Sequence, residues 1–260
     1  MDFYRESGAI GGLEELLGKV KNLLGGHRFD SVYLRGQADY AWGLRPTISR
    51  QLEYAGLKTD GYEEKRELYL LNRFRRYIRE FSDRDVNERE LLFLARHHGI
   101  PVRLLDWTSN PLVGLYFACA DDRKLRQDGA IWAFLRCQHP HEYFYDFFEA
   151  KESLLELKGV KIIYAPYVSP RISAQSCNFT IQGDPATELQ TYDPSTYEKK
   201  QFDIERIEKW KIPFEKKREF LLDLERLGIN ERMLFPDLDG IARGIIRTEV
   251  LRTGLQIPTT

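Results

Sequence analysis

The chain has 260 residues, 42% hydrophobic and 30% charged, which excludes disorder for most of it and leaves room for a sizeable core in one large or two small domains. Its 39 Lys and Arg nearly cancel 40 Asp and Glu, and the net charge of -1 excludes a global basic field that would draw the protein onto nucleic acid. Three widely separated cysteines, Cys119, Cys137 and Cys177, argue against a disulfide framework or a zinc site.

Residues 10–24 place Leu13, Leu16, Leu17, Val20 and Leu24 at helical steps and stop at Gly25-Gly26, which predicts an amphipathic helix with a glycine C-cap. Ser31 to Arg35 is short and β-prone and is broken by Gly36, so a strand is expected to deliver Arg35 to its end. A polar, aromatic loop follows through Trp42 and Pro46. From Glu63 to Phe81, Leu68, Leu71, Phe74, Ile78 and Phe81 share one helical face, with Arg73, Arg76 and Arg79 turned elsewhere as a solvated surface. A second helix is expected from about Asn87 to His98, ended by Gly99-Ile100-Pro101.

Val102 to Trp107 then reads as a strand, and Thr108-Ser109-Asn110-Pro111 supplies cap residues and a first-turn proline for a helix from Leu112 to about Ala120. Ala130 to Leu135 is nearly all apolar, the pattern of a buried central strand. Cys137 to Lys158 reads as partly helical. Val160 to Ala165 and Cys177 to Gln182 are strand-like, with Arg171 to Gln175 either a strand or its lead-in. Residues 183–201 form an irregular excursion, Trp210 to Ile212 one last strand, and helices over Phe214–Leu227 and Asp237–Leu251 close the chain. The fold class is α+β, with an N-terminal helical segment over 1–29 and one domain with C-terminal helices over 30–260. No run approaches the roughly 18 apolar residues of a membrane span and no signal-peptide pattern stands at the N-terminus, so a cytoplasmic protein with no membrane partner is expected.

Few stretches carry chemistry by residue type. In Arg35-Gly36-Gln37 an arginine at a strand end can grip a phosphate or carboxylate while glycine lets a ligand near the backbone; an arginine paired with a neighbouring acid beside a turn glycine is the plainer reading. Thr108-Ser109 precedes a helix whose free N–H groups favour an anion, and the plainer reading there is N-capping. Tyr116-Phe117 is core or a stacking platform. Arg171, Ser173 and Gln175 would share one side of an extended segment, lining a cleft or facing water. His97 and His98, about 100° apart on a helix, are poorly placed to share a metal, and no metal site is expected. The phosphate-binding glycine loops and the common hydrolase motifs do not occur.

In combination these stretches are more specific. Tyr33-Leu34-Arg35-Gly36-Gln37, Trp42-Gly43-Leu44-Arg45-Pro46, His97-His98-Gly99-Ile100-Pro101 running on to Leu105-Asp106-Trp107-Thr108, and Tyr116-Phe117-Ala118 resemble the FRG domain, a bacterial and phage family named for its Phe/Tyr-Arg-Gly motif. Arg171-Ile172, Gln175, Phe179 and Leu234 to Gly240 extend the resemblance to about residues 30–242. The chain departs from the family pattern with Leu34 directly before Arg-Gly and Val102 after the proline.

A weaker resemblance is to ADP-ribosyltransferases, in which an arginine ends an early strand and hydroxyls on a later strand precede a helix, with a further strand following. Arg35, Thr108-Ser109 and Ala130–Leu135 occur in that order, which implies an ADP-ribosyltransferase-like core. The resemblance implies NAD as substrate, its diphosphate on Arg35 with Gly36 and Gln37 beside it, its ribose on Thr108 or Ser109, and a ring stacked on Trp42 or Tyr116. Gln175 stands nearest the place of the late glutamate. An amide can orient a ribose hydroxyl and cannot act as a general base, so Asp106, Glu149 or Glu152 would have to supply a carboxylate.

The implied partners are a protein or nucleic-acid acceptor and an antitoxin or regulatory protein, and the implied role is that of a toxin, effector or phage-defence factor. Two rival readings are a non-catalytic nucleotide- or nucleic-acid-binding module using the arginines of residues 66–84, and a hydrolase built on His97 or His98 with Asp106.

Overall fold

A computed structural model describes residues 2–26, 32–54, 62–80, 86–137, 147–148, 153–164, 170–198 and 201–253. In chain order its elements are β1 (Tyr4–Ala9), α1 (Leu13–Leu24), β2 (Val32–Gln37), α2 (Thr47–Tyr54), α3 (Tyr62–Ile78), α4 (Glu88–His97), β3 (Leu104–Thr108), α5 (Pro111–Cys119), β4 (Gly129–Arg136), β5 (Val160–Tyr164), α6 (Pro170–Ala174), β6 (Cys177–Gln182), β7 (Ile204–Ile212), α7 (Phe214–Arg226), α8 (Glu231–Leu234) and α9 (Leu238–Thr253). The strands form one mixed sheet, ordered β1-β7-β4-β2-β3-β6-β5, in which only the β1–β7 pair is parallel. The fold is α+β.

Local rules explain most of the helices. Gly25 closes α1 in the left-handed region at φ 52°, its N–H donating to Lys21 O. Asn87 caps α4 by accepting from the N–H groups of Arg89 and Glu90 at 3.0 and 2.9 Å. Asn110, rather than the hydroxyls before it, caps α5, accepting from Leu112 N at 3.0 Å, and Pro111 takes the first helical position. α5 is apolar nearly all round because it lies between the sheet on one side and α1 and α7 on the other. β4 is buried along its length for the same reason, with strand neighbours at both edges and packing on both faces.

Three apolar clusters make the core. One lies between the sheet and α1, α5, α7 and α9. A second sits on the opposite face, where Tyr33, Trp107, Trp132 and Phe134 pack beneath Leu44, Leu189, Tyr192 and Phe202 of the long connections. The third joins α4 to Leu104, Ile163, Phe179 and Ile181.

Several elements differ from the sequence expectation. The 1–29 segment contributes a strand as well as a helix, and β1 escapes notice because an edge strand reading Tyr-Arg-Glu-Ser-Gly-Ala has no apolar alternation. β2 does not stop at Gly36: Gly36 and Gln37 continue the ladder opposite Ile131 and Ala130. Pro170 to Ala174 is a short helix, not an extended segment, which cancels the shared face of Arg171, Ser173 and Gln175. β7 begins at Ile204, well before Trp210, and α2 and α8 are short helices beyond the sequence expectation. The expected helix over Cys137–Lys158 falls largely outside the described residues, as do Ser31, Phe81 and Ala165. No described helix is long and apolar enough to cross a membrane.

Candidate anion-binding cleft

β2 and β3 are neighbours in the sheet, yet they pair at one register position only, Leu34 opposite Thr108. Beyond it they part, and Arg35 Nη1 donates to the carbonyl of Asp106 at 2.8 Å where a continued ladder would have placed a strand-to-strand bond. A cavity of about 420 Å³ opens here. It is lined by Arg35 and Gly36 of β2, Arg96 and His97 of α4, Asp106 to Thr108 of β3, Phe117 of α5, Arg171 and Ile172 of α6, and Gln175, Cys177 and Phe179 around the start of β6. Ser176, at φ 48°, makes the left-handed turn that swings the chain from α6 into β6 and sets Gln175 and Cys177 at the cavity wall.

The electrostatics are lopsided. Asp106 is the only carboxylate among the described lining residues, against three guanidinium groups. Arg96 takes both its oxygens, through Nε to Oδ1 at 3.1 Å and Nη2 to Oδ2, while Arg35 reaches Oδ2 at 3.4 Å. Burial alone would raise the Asp106 carboxyl, but Arg96 and then Arg35 outweigh it and hold the group well below the usual carboxylate range. Asp106 is therefore a fixed anion with its lone pairs engaged, unsuited to the role of general base.

Burial lowers Arg35 to about 10, with Asp106 opposing and Arg50 and Arg96 adding repulsion, so it stays cationic at neutral pH. Its buried Nε has no hydrogen-bond partner among the described residues. Arg171 is likewise lowered, by burial first, with Asp237 and Asp106 opposing and Arg243 adding repulsion. The site thus holds more positive charge than its own acid neutralises, the condition for taking up an anion.

Of the other ionisable groups, burial, with Asp106 adding to it, pushes the Cys177 thiol up to about 12, which keeps it protonated. His97 is lowered by burial, then by His98 and Arg171. Its ring stands edge-on to His98 at 5.0 Å, and with Asp106 committed to arginines the hydrolase reading has no acid–base pair.

Arg35, Thr108 and Gln175, from three separate parts of the chain, therefore meet at one cavity. Ser109 does not line it; its N–H donates to Ser176 O at 3.3 Å. Thr108 Oγ1 donates to Gln175 O at 2.8 Å and accepts from Asn110 N at 3.0 Å, and Gln175 Nε2 donates to Leu234 O at 2.9 Å. Both side chains already tie β3 to the α6–β6 turn and to α8.

Gly36 lines both cavities and has a packing task as well. A Cβ there would collide with the backbone of Gly114 and come within 2.5 Å of Ala118 N, so its bareness lets α5 lie against β2. Gln37, 5% exposed, holds the Trp42 loop by donating to Gly43 O at 3.2 Å and accepting from Trp132 Nε1 at 2.8 Å.

Trp42 and Tyr116 line a second cavity of about 340 Å³, which shares Arg35, Gly36 and Phe117 with the first. Tyr116 is 3% exposed and belongs to the core, whereas Trp42 is 38% exposed with the Lys124 ammonium 5.5 Å from its ring centroid. Glu149 and Glu152 lie outside the described residues. Sequence reasoning missed Arg96, Arg50 and Arg243. Arg96 had a faint signal in its place beside His97-His98, while Arg50 and Arg243 had none, because only folding brings α2 and α9 to β2.

The fold and site define an α+β protein with an arginine-lined cleft where two central strands of one sheet part. The model of the FRG domain matches residues 30–127, and the chain carries an FRG domain over that span. The match takes in β2 through α5, hence Arg35, Arg96, Asp106 and Thr108, while Arg171, Gln175 and Arg243 lie beyond it. No curated protein and no solved structure matches the chain.

Proposed function

We propose that the cleft binds a phosphate-bearing dinucleotide, NAD in the first place, and that the FRG domain transfers its ADP-ribose to a protein or nucleic-acid acceptor. The observation that carries this reading is the convergence of Arg35, Thr108 and Gln175 on one cavity with excess positive charge. Arg35, with an unbonded Nε and its Asp106 oxygen at 3.4 Å, is the group with donors to spare for a diphosphate. The order of arginine strand, hydroxyl strand, helix and further strand is that of ADP-ribosyltransferases, and all these elements adjoin the cleft or each other in the sheet. An electron-deficient ribosyl transition state would form beside Thr108 and Gln175.

A second reading, a nucleotide-binding module without transfer, is favoured by one observation: the only described carboxylate at the cavity is consumed by Arg96. Transfer then requires an acceptor that needs little base assistance. The rival face on the arginines of residues 66–84 has Arg66 and Arg73 at 5.2 and 5.8 Å from the ring centroid of the exposed Tyr69, but none of the described ones lines either cavity. A toxin, effector or phage-defence role, with an antitoxin or regulatory protein as partner, rests on the family's bacterial and phage context.

Calorimetric titration of NAD into wild type and Arg35→Ala tests the binding. Loss of a charge-assisted contact predicts binding weakened by about tenfold or more in the variant. No heat of binding in wild type overturns the reading, and binding without nicotinamide release selects the module over the transferase.

A further inference from the structure

The second cavity has a charge imbalance of its own. Its two described carboxylates are both engaged: Asp121 by Arg123, which reaches its two oxygens at 3.0 Å each, and Glu231 by Arg247. Arg247 is in turn held by Asp122 and by the carbonyl of Ala120 at 2.7 Å. Arg50 and Arg243 line the same cavity, are exposed, and have no carboxylate within ion-pair distance among the described residues.

Aromatic rings are interleaved with these cations. The Arg243 guanidinium lies 5.2 Å from the Phe235 ring centroid, and that of Arg171, from the first cavity, lies 4.4 Å from it. Phe235 is thus the seam between the two hollows, with a cation on either side of the junction. Trp42 presents a 38% exposed indole at the second cavity.

Guanidinium groups without ion-paired acids, lining the same hollow as an exposed indole, are what a single strand of nucleic acid requires, with phosphates on the arginines and a base on the flat ring. An acidic protein segment would use the charges and leave the indole idle. Because the whole chain is close to neutral, binding of this kind would come from the local patch alone.

We propose that the second cavity is a phosphodiester subsite for single-stranded nucleic acid, with Arg50 and Arg243 on phosphates and a base stacked on Trp42. Its role as the acceptor site rests on the transfer reading above; the binding itself does not. Arg35, shared by both hollows, would then stand between the dinucleotide and the strand that receives its sugar.

The test is fluorescence anisotropy of a labelled mixed-sequence single-stranded DNA of about 12 nucleotides with the full chain, over a series of salt concentrations. Two phosphate contacts predict a log–log salt slope of about -1.4. Arg243→Glu, at an exposed position of α9, should weaken binding by roughly tenfold or more and flatten the slope. Trp42→Ala should weaken it by about fivefold or more, the loss of one stacked base.

Arg66→Glu on α3, away from both cavities, should stay within about twofold of wild type. Absence of binding by wild type, an equal loss in Arg66→Glu, or tighter binding of a polyglutamate peptide overturns the proposal. NAD is titrated separately. Uptake of NAD without DNA binding overturns the subsite alone, whereas Arg243-dependent DNA binding by a protein that takes up no NAD supports the subsite and removes its acceptor role.

Discussion

Arg103 and Asp106 stand on the same short stretch leading into and along β3, and their surroundings are opposite. Arg103 is fully buried, donating through Nε to Glu67 at 2.5 Å and through Nη1 to the carbonyl of Leu154 at 3.0 Å, while its backbone N–H reaches the other Glu67 oxygen. No solvent reaches either side chain of that ion pair. At Asp106 one acid answers Arg96 and Arg35 together, on the wall of a cavity, with Arg171 close by. A buried pair sealed from solvent holds the fold, whereas a cluster with surplus charge at an opening is available to an outside anion.

The largest break in that comparison is Glu67→Ala, which leaves Arg103 buried without its counter-charge. We expect a loss of about 3–5 kcal/mol in denaturant unfolding, with the fold lost at moderate temperature. A near-neutral result would mean that Arg103 has other support and that the two regions are not so different.

Asp106→Asn should cost less, about 1–3 kcal/mol, because the amide still accepts from Arg96. It should leave anion binding undiminished, since the cleft becomes more positive; weakened NAD binding would show that Asp106 positions Arg35 rather than merely balancing it. The pH response sharpens the same point. Arg96 and Arg35 hold the folded-state carboxyl below its unfolded value of about 3.9, so its stabilising contribution is complete above that value and is lost as pH falls through the folded one. Wild type should therefore lose stability on acidification below about pH 4 more steeply than Asp106→Asn, as followed by circular dichroism.

The smallest effect is expected at Ser109→Ala. Its hydroxyl adjoins neither cavity, so stability should move by no more than about 0.5 kcal/mol and NAD binding by less than twofold. A large loss of binding would return Ser109 to the site.

Much of the element order was legible because it follows local rules. The helical spacing of Leu13, Leu16, Val20 and Leu24, the glycine stop at Gly25, a helix start near Asn87 and the unbroken apolar run of β4 all show in the chain itself. Arg35 and Thr108 were legible as candidates, Arg35 by its donors beside a glycine and Thr108 by its strand-to-helix junction, and both line the first cavity. Where local rules mislead, a tertiary contact has overridden them. Gly36 looks like a breaker, yet it sits within β2 because α5 needs its bare backbone, and β1 has no apolar signal because its edge position asks for none.

By itself the sequence determined the residue types, the two capped junctions and the arginine placed on β2, since these depend on spacing and side-chain chemistry within a few residues. Only the tertiary structure decided that β2 and β3 part beyond the Leu34–Thr108 pair, that Asp106 spends itself on Arg96, and that Arg50 and Arg243 arrive at the same opening with no ion-paired acid among the described residues. Charge balance at a site is a sum over neighbours in space, and those neighbours come from segments far apart along the chain.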